Sequence, residues 1–226
     1  MAFTIPIQSW ALPTARENIS SQTHQNNIHY PRNPEDIYEA LKILQHLLPS
    51  ELVLEILEHA QYWVLSRVSI SKEVSYAERD CHNKPRYLVS NPIQGEQARV
   101  REIRFDISSH VQGWSSFSKD HGTFRNSWTW FDLGIEWALD RETIPEYKDI
   151  RMATNLHASS QTNRHRIVYR NDQDLPLMSL LRNGDSVSII PCARFPGWTN
   201  YVESASIEIY TDHTGTSGVE NTTSSM

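Results

Sequence analysis

The stretch 100-VREIRFDISSHVQGWSSFSKDHGTFRNSWTWFDLGIEW-137 decides the fold. It opens on an alternation in which Arg101, Ile103, Phe105 and Ile107 fall on one face and Glu102, Arg104 and Asp106 on the other, the period-two pattern of a half-buried strand. It closes on Ser127-Trp128-Thr129-Trp130-Phe131, where the same geometry puts both tryptophans on one side. Between the two runs lies a polar connection holding Gly113, Gly122 and Trp114. Two such strands flanking an aromatic loop either wall a pocket or serve as ordinary members of a sandwich.

Working outward toward the C-terminus, short apolar runs alternate with turn chemistry. Strands are expected at 87–89, 99–108, 127–138, 150–158, 165–170, 186–193 and 201–211, punctuated by Asn91-Pro92, Asn171-Asp172, Asn183-Gly184-Asp185 and Pro196-Gly197. Seven or eight strands with no long helix between them pair antiparallel. The expected fold is therefore mainly β, an antiparallel jelly-roll-like β-sandwich.

Working back toward the N-terminus, Asn33-Pro34-Glu35-Asp36 has the chemistry of a helix start, with an Asn cap, proline in the first turn and acids complementing the dipole. A helix over about 35–46 follows, with Ile37, Leu41 and Leu44 on one stripe. A second helix is expected from a Ser50 cap to about Trp63, with Leu52, Ile56, Leu57 and Ala60 as its apolar face. The domain plan is thus an extended arm over 1–32, a helical pair over 33–70, the sandwich over 86–211 and a disordered tail over 212–226. The pair either docks on the sandwich or forms a homodimer contact.

Composition narrows the function classes. The 226 residues carry a net charge of −6, with a pI near 5.9, which offers no basic field for nucleic acid. Two cysteines, Cys81 and Cys192, make no disulfide framework and fit no zinc spacing. No run of eighteen apolar residues is present, so no membrane partner is expected. The start lacks a basic leader, and the expected location is the cytoplasm. There is no GxSxG elbow, HExxH, P-loop or GxGxxG.

The segments 112–115 (QGWS), 127–131 (SWTWF), 155–158 (NLHA), 165–168 (HRIV) and 193–200 (ARFPGWTN) resemble a family of fungal proteins that pair a Leu-Pro-x-Glu-Leu helix with a sandwich. Within that family the chain is similar to fungal hetero-Diels-Alderases of tropolonic sesquiterpene (meroterpenoid) biosynthesis. The resemblance implies a cofactor-free, metal-free pericyclase in secondary metabolism. Its substrates would be a hydroxymethyl tropolone, dehydrated to a quinone methide, and a terpene alkene such as humulene. It also implies an apolar chamber in which the two meet.

For such chemistry a planar guanidinium suits the paired oxygens of a tropolone. Arg101, Arg104, Arg151, Arg166 and Arg194 are the arginines on expected strands. Arg101 stands out by sharing its parity with Ile103 and Phe105, and Arg166 and Arg194 are its companions. Loss of hydroxide needs a proton donor, for which His157 is the first candidate and His165 the second. Trp114, Trp128, Trp130 and Trp198 would supply stacking surface beside Asn155. The alternative for each arginine is a solvated strand residue, and for each tryptophan a place in the core.

Two competing classes remain. Leu48 to Leu57, LPSELVLEIL, resembles the opening of an F-box, which would make the chain an interaction protein with exposed leucines on its second helix. A carbohydrate-binding sandwich would instead present exposed tryptophan platforms.

Overall fold

The structure, a computed structural model, describes residues 30–139, 150–170, 174, 175 and 178–214. Helix α1 spans Pro34–Gln45 and α2 Ser50–His59. Asn33 caps α1 as expected, its side-chain oxygen accepting from the Asp36 amide at 3.0 Å. Ser50, expected to cap α2, is its first helical residue; Pro49 holds the cap position without a side-chain bond. Helix α2 ends earlier than expected, and its buried stripe is Val53 and Leu57, while Leu52 and Ile56 are exposed.

Eight strands follow among the described residues: β1 Val64–Ala77, β2 Leu88–Val89, β3 Arg99–Val111, β4 Thr129–Glu136, β5 Ile150–Thr154, β6 Asn163–Tyr169, β7 Ser186–Ala193 and β8 Thr199–Asp212. A short helix, α3, spans Glu78–Cys81 between the first two. One sheet has the order β1-β8-β3-β6 and the other β2-β7-β4-β5, with antiparallel pairing throughout. Every connection except β4 to β5 crosses between sheets, which is jelly-roll winding. The expected sandwich is observed.

The domain plan needs two changes. The first strand, β1, begins at Val64, inside the span assigned to the helical pair, and pairs with β8 from Val64↔Thr211 to Ala77↔Thr199. Its alternation was hidden because the register slips between Ser71 and Val74, so Lys72 and Glu73 interrupt the apolar period. At the other end, β8 runs to Asp212, and His213 is buried. The expected arm up to His29 and the tail from Gly215 lie outside the described residues.

Inward positions fill the space between the sheets. Ile103, Phe105 and Ile107 of β3 meet Phe131 and Leu133 of β4, Val187 and Ile189 of β7, and Ile207 and Ile209 of β8, each at most 2% exposed. Burying each such side chain contributes about 1.5–3 kcal/mol. The apolar chamber implied by the resemblance is therefore not between the sheets; that space is core.

Gly134 shows how tight the packing is on the outer side of β4. A Cβ there would lie 2.4 Å from Ser188 Oγ and 2.7 Å from Ile190 Cδ1, and Ser188 Oγ is already committed to Glu136 at 2.8 Å. Gly134→Ala is expected to cost about 1–3 kcal/mol by overpacking, read as a lowered midpoint in urea. An unchanged midpoint would mean that β4 and β7 separate freely.

Candidate functional site

In this winding the connections after β3, β5 and β7 emerge at one end of the sandwich. Backbone bonds sew them together. The Gly122 amide donates to His157 O at 2.9 Å and the His157 amide to Thr123 O at 2.7 Å. Arg194 N donates to Trp128 O and Val111 N to Ser159 O, both at 2.9 Å. Gly113 has φ +79, and a Cβ there would sit 2.9 Å from Ser160 Cβ, so only glycine lets the β3–β4 connection lie against the β5–β6 turn.

This end gathers most of the residues expected from the sequence. Trp114 leans over Gly197, where a Cβ would come within 3.3 Å of its ring. Trp128 meets Phe195 edge to face at 4.7 Å, and the Arg194 guanidinium lies 5.2 Å from the Phe195 ring centre. Trp198 stands edge-on to His157 at 5.0 Å. The solvent-facing part of the cluster is aromatic: Trp114 is 63% exposed, Phe117 60%, Phe124 62% and Phe195 43%. Such ring surface, held by short loops, stacks flat molecules.

Two expected site residues are present but unreachable. His157 has no exposed surface. Its Nδ1 lies 3.0 Å from Arg125 O and 2.9 Å from Asn126 O, so Nδ1 carries the proton and donates, fixing the tautomer. Its Nε2 is buried without a hydrogen-bond partner. Its role in this geometry is to tie the aromatic loop down. Of the neighbouring pair, His121, 5.6 Å away ring to ring, is the one that solvent reaches, and its Nε2 is 3.2 Å from Ser115 O.

Asn155, 1% exposed, uses all of its amide. Its Oδ1 accepts from Ser109 Oγ at 2.8 Å and His165 Nε2 at 2.9 Å. Its Nδ2 donates to Thr129 Oγ1 at 3.2 Å and Asn200 Oδ1 at 3.0 Å. Nothing is left over for a ligand. Burial pushes the His165 pKa down to about 4, so its imidazole is neutral near pH 7 and is no ready acid.

Three further residues lie elsewhere. Trp130 is on the outer face of its sheet, with Arg151 stacked 4.2 Å over its ring. Arg166 is on the outer face of the other sheet, 70% exposed and 3.6 Å from Asp106. Arg101 is at the far end of β3, about ten residues or roughly 33 Å from the aromatic loops. Its expected inward direction is overturned by a bulge: the β3–β8 register shifts between Val100 and Glu102, so Val100 packs in the core and Arg101 turns out toward α2. The guanidinium that accompanies the aromatic rings is that of Arg194.

The residues missed in the sequence are Phe117, Phe124, Phe195 and His121. They sit in turns, where no periodicity marks a direction; their density within seventeen residues of Trp114 or next to Arg194 was the available signal. Among the described residues no three His, Cys, Asp or Glu side chains converge as metal ligands, and no helix is long and apolar enough to cross a membrane.

No protein-family model and no curated protein matches this sequence. Among solved structures, the chain is similar to dimeric latent PorU from Porphyromonas gingivalis at 7% identity and a TM-score of 0.32. That match covers 66% of this chain and 13% of that one. It is also similar to a carbohydrate binding module from glycoside hydrolase family 9 (Cel9A) of Ruminococcus flavefaciens FD-1 at 8% identity and a TM-score of 0.30, covering 66% of this chain and 98% of that one.

Proposed function

We propose that the aromatic loop end binds flat, oxygenated ring molecules and that the chain is a cofactor-free hetero-Diels-Alderase of fungal secondary metabolism. The observation that carries the reading is the exposed Trp114–Phe195 surface with the Arg194 guanidinium beside it. The sequence resemblance supplies the reaction class. A hydroxymethyl tropolone would stack on the rings and place its adjacent oxygens against Arg194. The C–O bond of its hydroxymethyl group breaks, a donor such as His121 protonates the departing hydroxide, and the ring hydroxyl loses its proton. The resulting quinone methide then forms one C–C and one C–O bond with an alkene of a terpene lying on the same apolar surface. Holding two partners face to face lowers a barrier without any nucleophile; orientation can supply about 7–11 kcal/mol.

The test is incubation of the purified chain with a hydroxymethyl tropolone and humulene, with the adduct followed by mass spectrometry. Trp114→Ala is expected to raise KM at least tenfold and Arg194→Gln to lower kcat/KM at least tenfold, roughly 1.4 kcal/mol of transition-state binding each. Both side chains are exposed, so stability should stay within about 0.5 kcal/mol. Adduct formation no faster than in buffer would overturn the reading.

The openness of this surface, with Trp114 63% exposed, favours a second reading, a carbohydrate-binding sandwich. Binding to soluble oligosaccharides that is lost in Trp114→Ala and kept in Arg194→Gln would establish it in place of the first.

A further inference from the structure

The bulge that turns Arg101 away from the core brings it into a cleft at the opposite end of the molecule. Helix α2 forms one side and the beginning of β3 with the end of β8 the other. The cleft holds about 250 Å³, between the side chains of Leu54, Leu57, Tyr62 and Trp63 and the guanidinium groups of Arg99 and Arg101. Both arginines share one carboxylate: Asp212 Oδ2 is 2.8 Å from Arg99 Nη2 and 3.1 Å from Arg101 Nη2. Asp212 is only 2% exposed. Burial pushes its pKa up, but hydrogen bonds from Thr214 and the two guanidinium charges bring it below the ordinary value, so it stays ionised. Two guanidiniums against one fixed carboxylate leave one positive charge on the strand side, while the Glu55 and Glu58 carboxylates lie on the α2 side.

That charge is met by Glu58 Oε2, 3.0 Å from Arg101 Nη2. Glu58 differs from Asp212 in being 46% exposed at its side chain, so it can swing into water at little cost. It also leaves the grip incomplete: Arg101 Nε is buried and has no acceptor. A buried donor without a partner is costly, and a carboxylate lying along the Nε–Nη2 edge would satisfy both nitrogens at once.

We propose that this cleft is a binding site for a small monocarboxylate with a flat apolar body, and that Glu58 is its built-in competitor. The ligand carboxylate takes the place of Glu58 on Arg101, and its apolar body lies between the α2 leucines and the Tyr62–Trp63 pair. The one guanidinium charge that Asp212 leaves uncompensated, with Glu55 also lining the cleft, disfavours a phosphate dianion, and the volume admits one or two rings. Bulges often re-aim side chains next to binding sites, and this one produces the only change of face in the inward series of β3 that faces an arginine toward apolar walls. The site is independent of the aromatic loop end and does not rest on the cycloaddition reading.

The probes are trans-cinnamate and cinnamamide, which share a shape and differ in charge, titrated by calorimetry into the full chain. Cinnamate is expected to bind with a dissociation constant on the order of a millimolar or below, and the amide at least tenfold more weakly. Glu58→Gln should tighten cinnamate binding about three- to tenfold, because the competitor is gone, a gain that a damaged fold cannot imitate. Arg101→Gln should abolish the binding that Glu58→Gln tightens. Equal affinity for acid and amide, no measurable binding at about ten times the expected constant, weaker or unchanged binding in Glu58→Gln, or unchanged binding in Arg101→Gln would each overturn the assignment.

Discussion

Asn155→Ala is expected to destabilise the fold by about 3–5 kcal/mol, as much as truncation of a large core side chain. Asn155 is the hub of a buried polar cluster at the foot of the aromatic loops. Four neighbours depend on its amide: Ser109, Thr129 and His165, and Asn200, which is itself spent on Trp130 O at 3.0 Å. Ser109, Thr129 and Asn200 have no exposed surface. Deleting the amide strands several buried donors and acceptors, each costing about 1–3 kcal/mol, less whatever side-chain rotation recovers. The check is the urea midpoint, expected to fall by about 1.5–2.5 M for a slope near 2 kcal/mol per molar. Asn155→Asp should also destabilise, since a carboxylate oxygen would face Asn200 Oδ1. A loss under about 1 kcal/mol would mean that water already fills this cluster.

The second large effect is on pH. His165 donates to Asn155 from a buried position that pushes its pKa down from 6.5 to about 4. Between those values the unfolded chain binds a proton that the folded chain refuses, so stability falls as pH drops through that window. Above 6.5 both states are neutral and the effect vanishes. Taking 1.36 kcal/mol per pKa unit, about 2 kcal/mol should be lost between pH 7.5 and 5, where most carboxylates are still ionised. His213, whose pKa is lowered first by burial and partly restored by Asp212 and Glu35, adds a slope of the same sign. His165→Gln keeps a donor toward Asn155 but cannot titrate. Chemical denaturation at the two pH values should show it losing about 2 kcal/mol less than the parent chain, and an equal loss would assign the titration to another group.

These residues also mark what the sequence could and could not reveal. Strands β3, β4, β7 and β8 were legible because one face of each is core, so the apolar period is strict from Ile103 to Ile107 and from Phe131 to Leu133. The direction of Arg101 was not, because a bulge is fixed by the count of residues on the partner strand, here β8, and leaves no trace in the alternation of its own strand. The polar residues expected at the site serve the fold where the structure shows their partners. Asn155 and His157 are spent on groups the fold buries, a demand that becomes visible only once Thr129, Asn200 and the 125–126 carbonyls are in place. Trp114 and Trp198 could be named as loop aromatics, since turn residues flank both. The phenylalanines around them could not be assigned to surface or core, because a turn has no inward side until its neighbours are known.

The position of β8 has a bearing on how the protein comes into being. It lies between β1 and β3 in its sheet, so the earliest of the described strands finds its lateral partner in the last of them. Until residue 212 has emerged, β1 has an unpaired edge on both sides and its sheet has a gap in the middle. Assembly of this sheet therefore waits for β8 and has long loops to close, slow by the measure of contact order. A nascent chain of this kind needs shielding of Val68, Ile70 and Val74 until β8 is available.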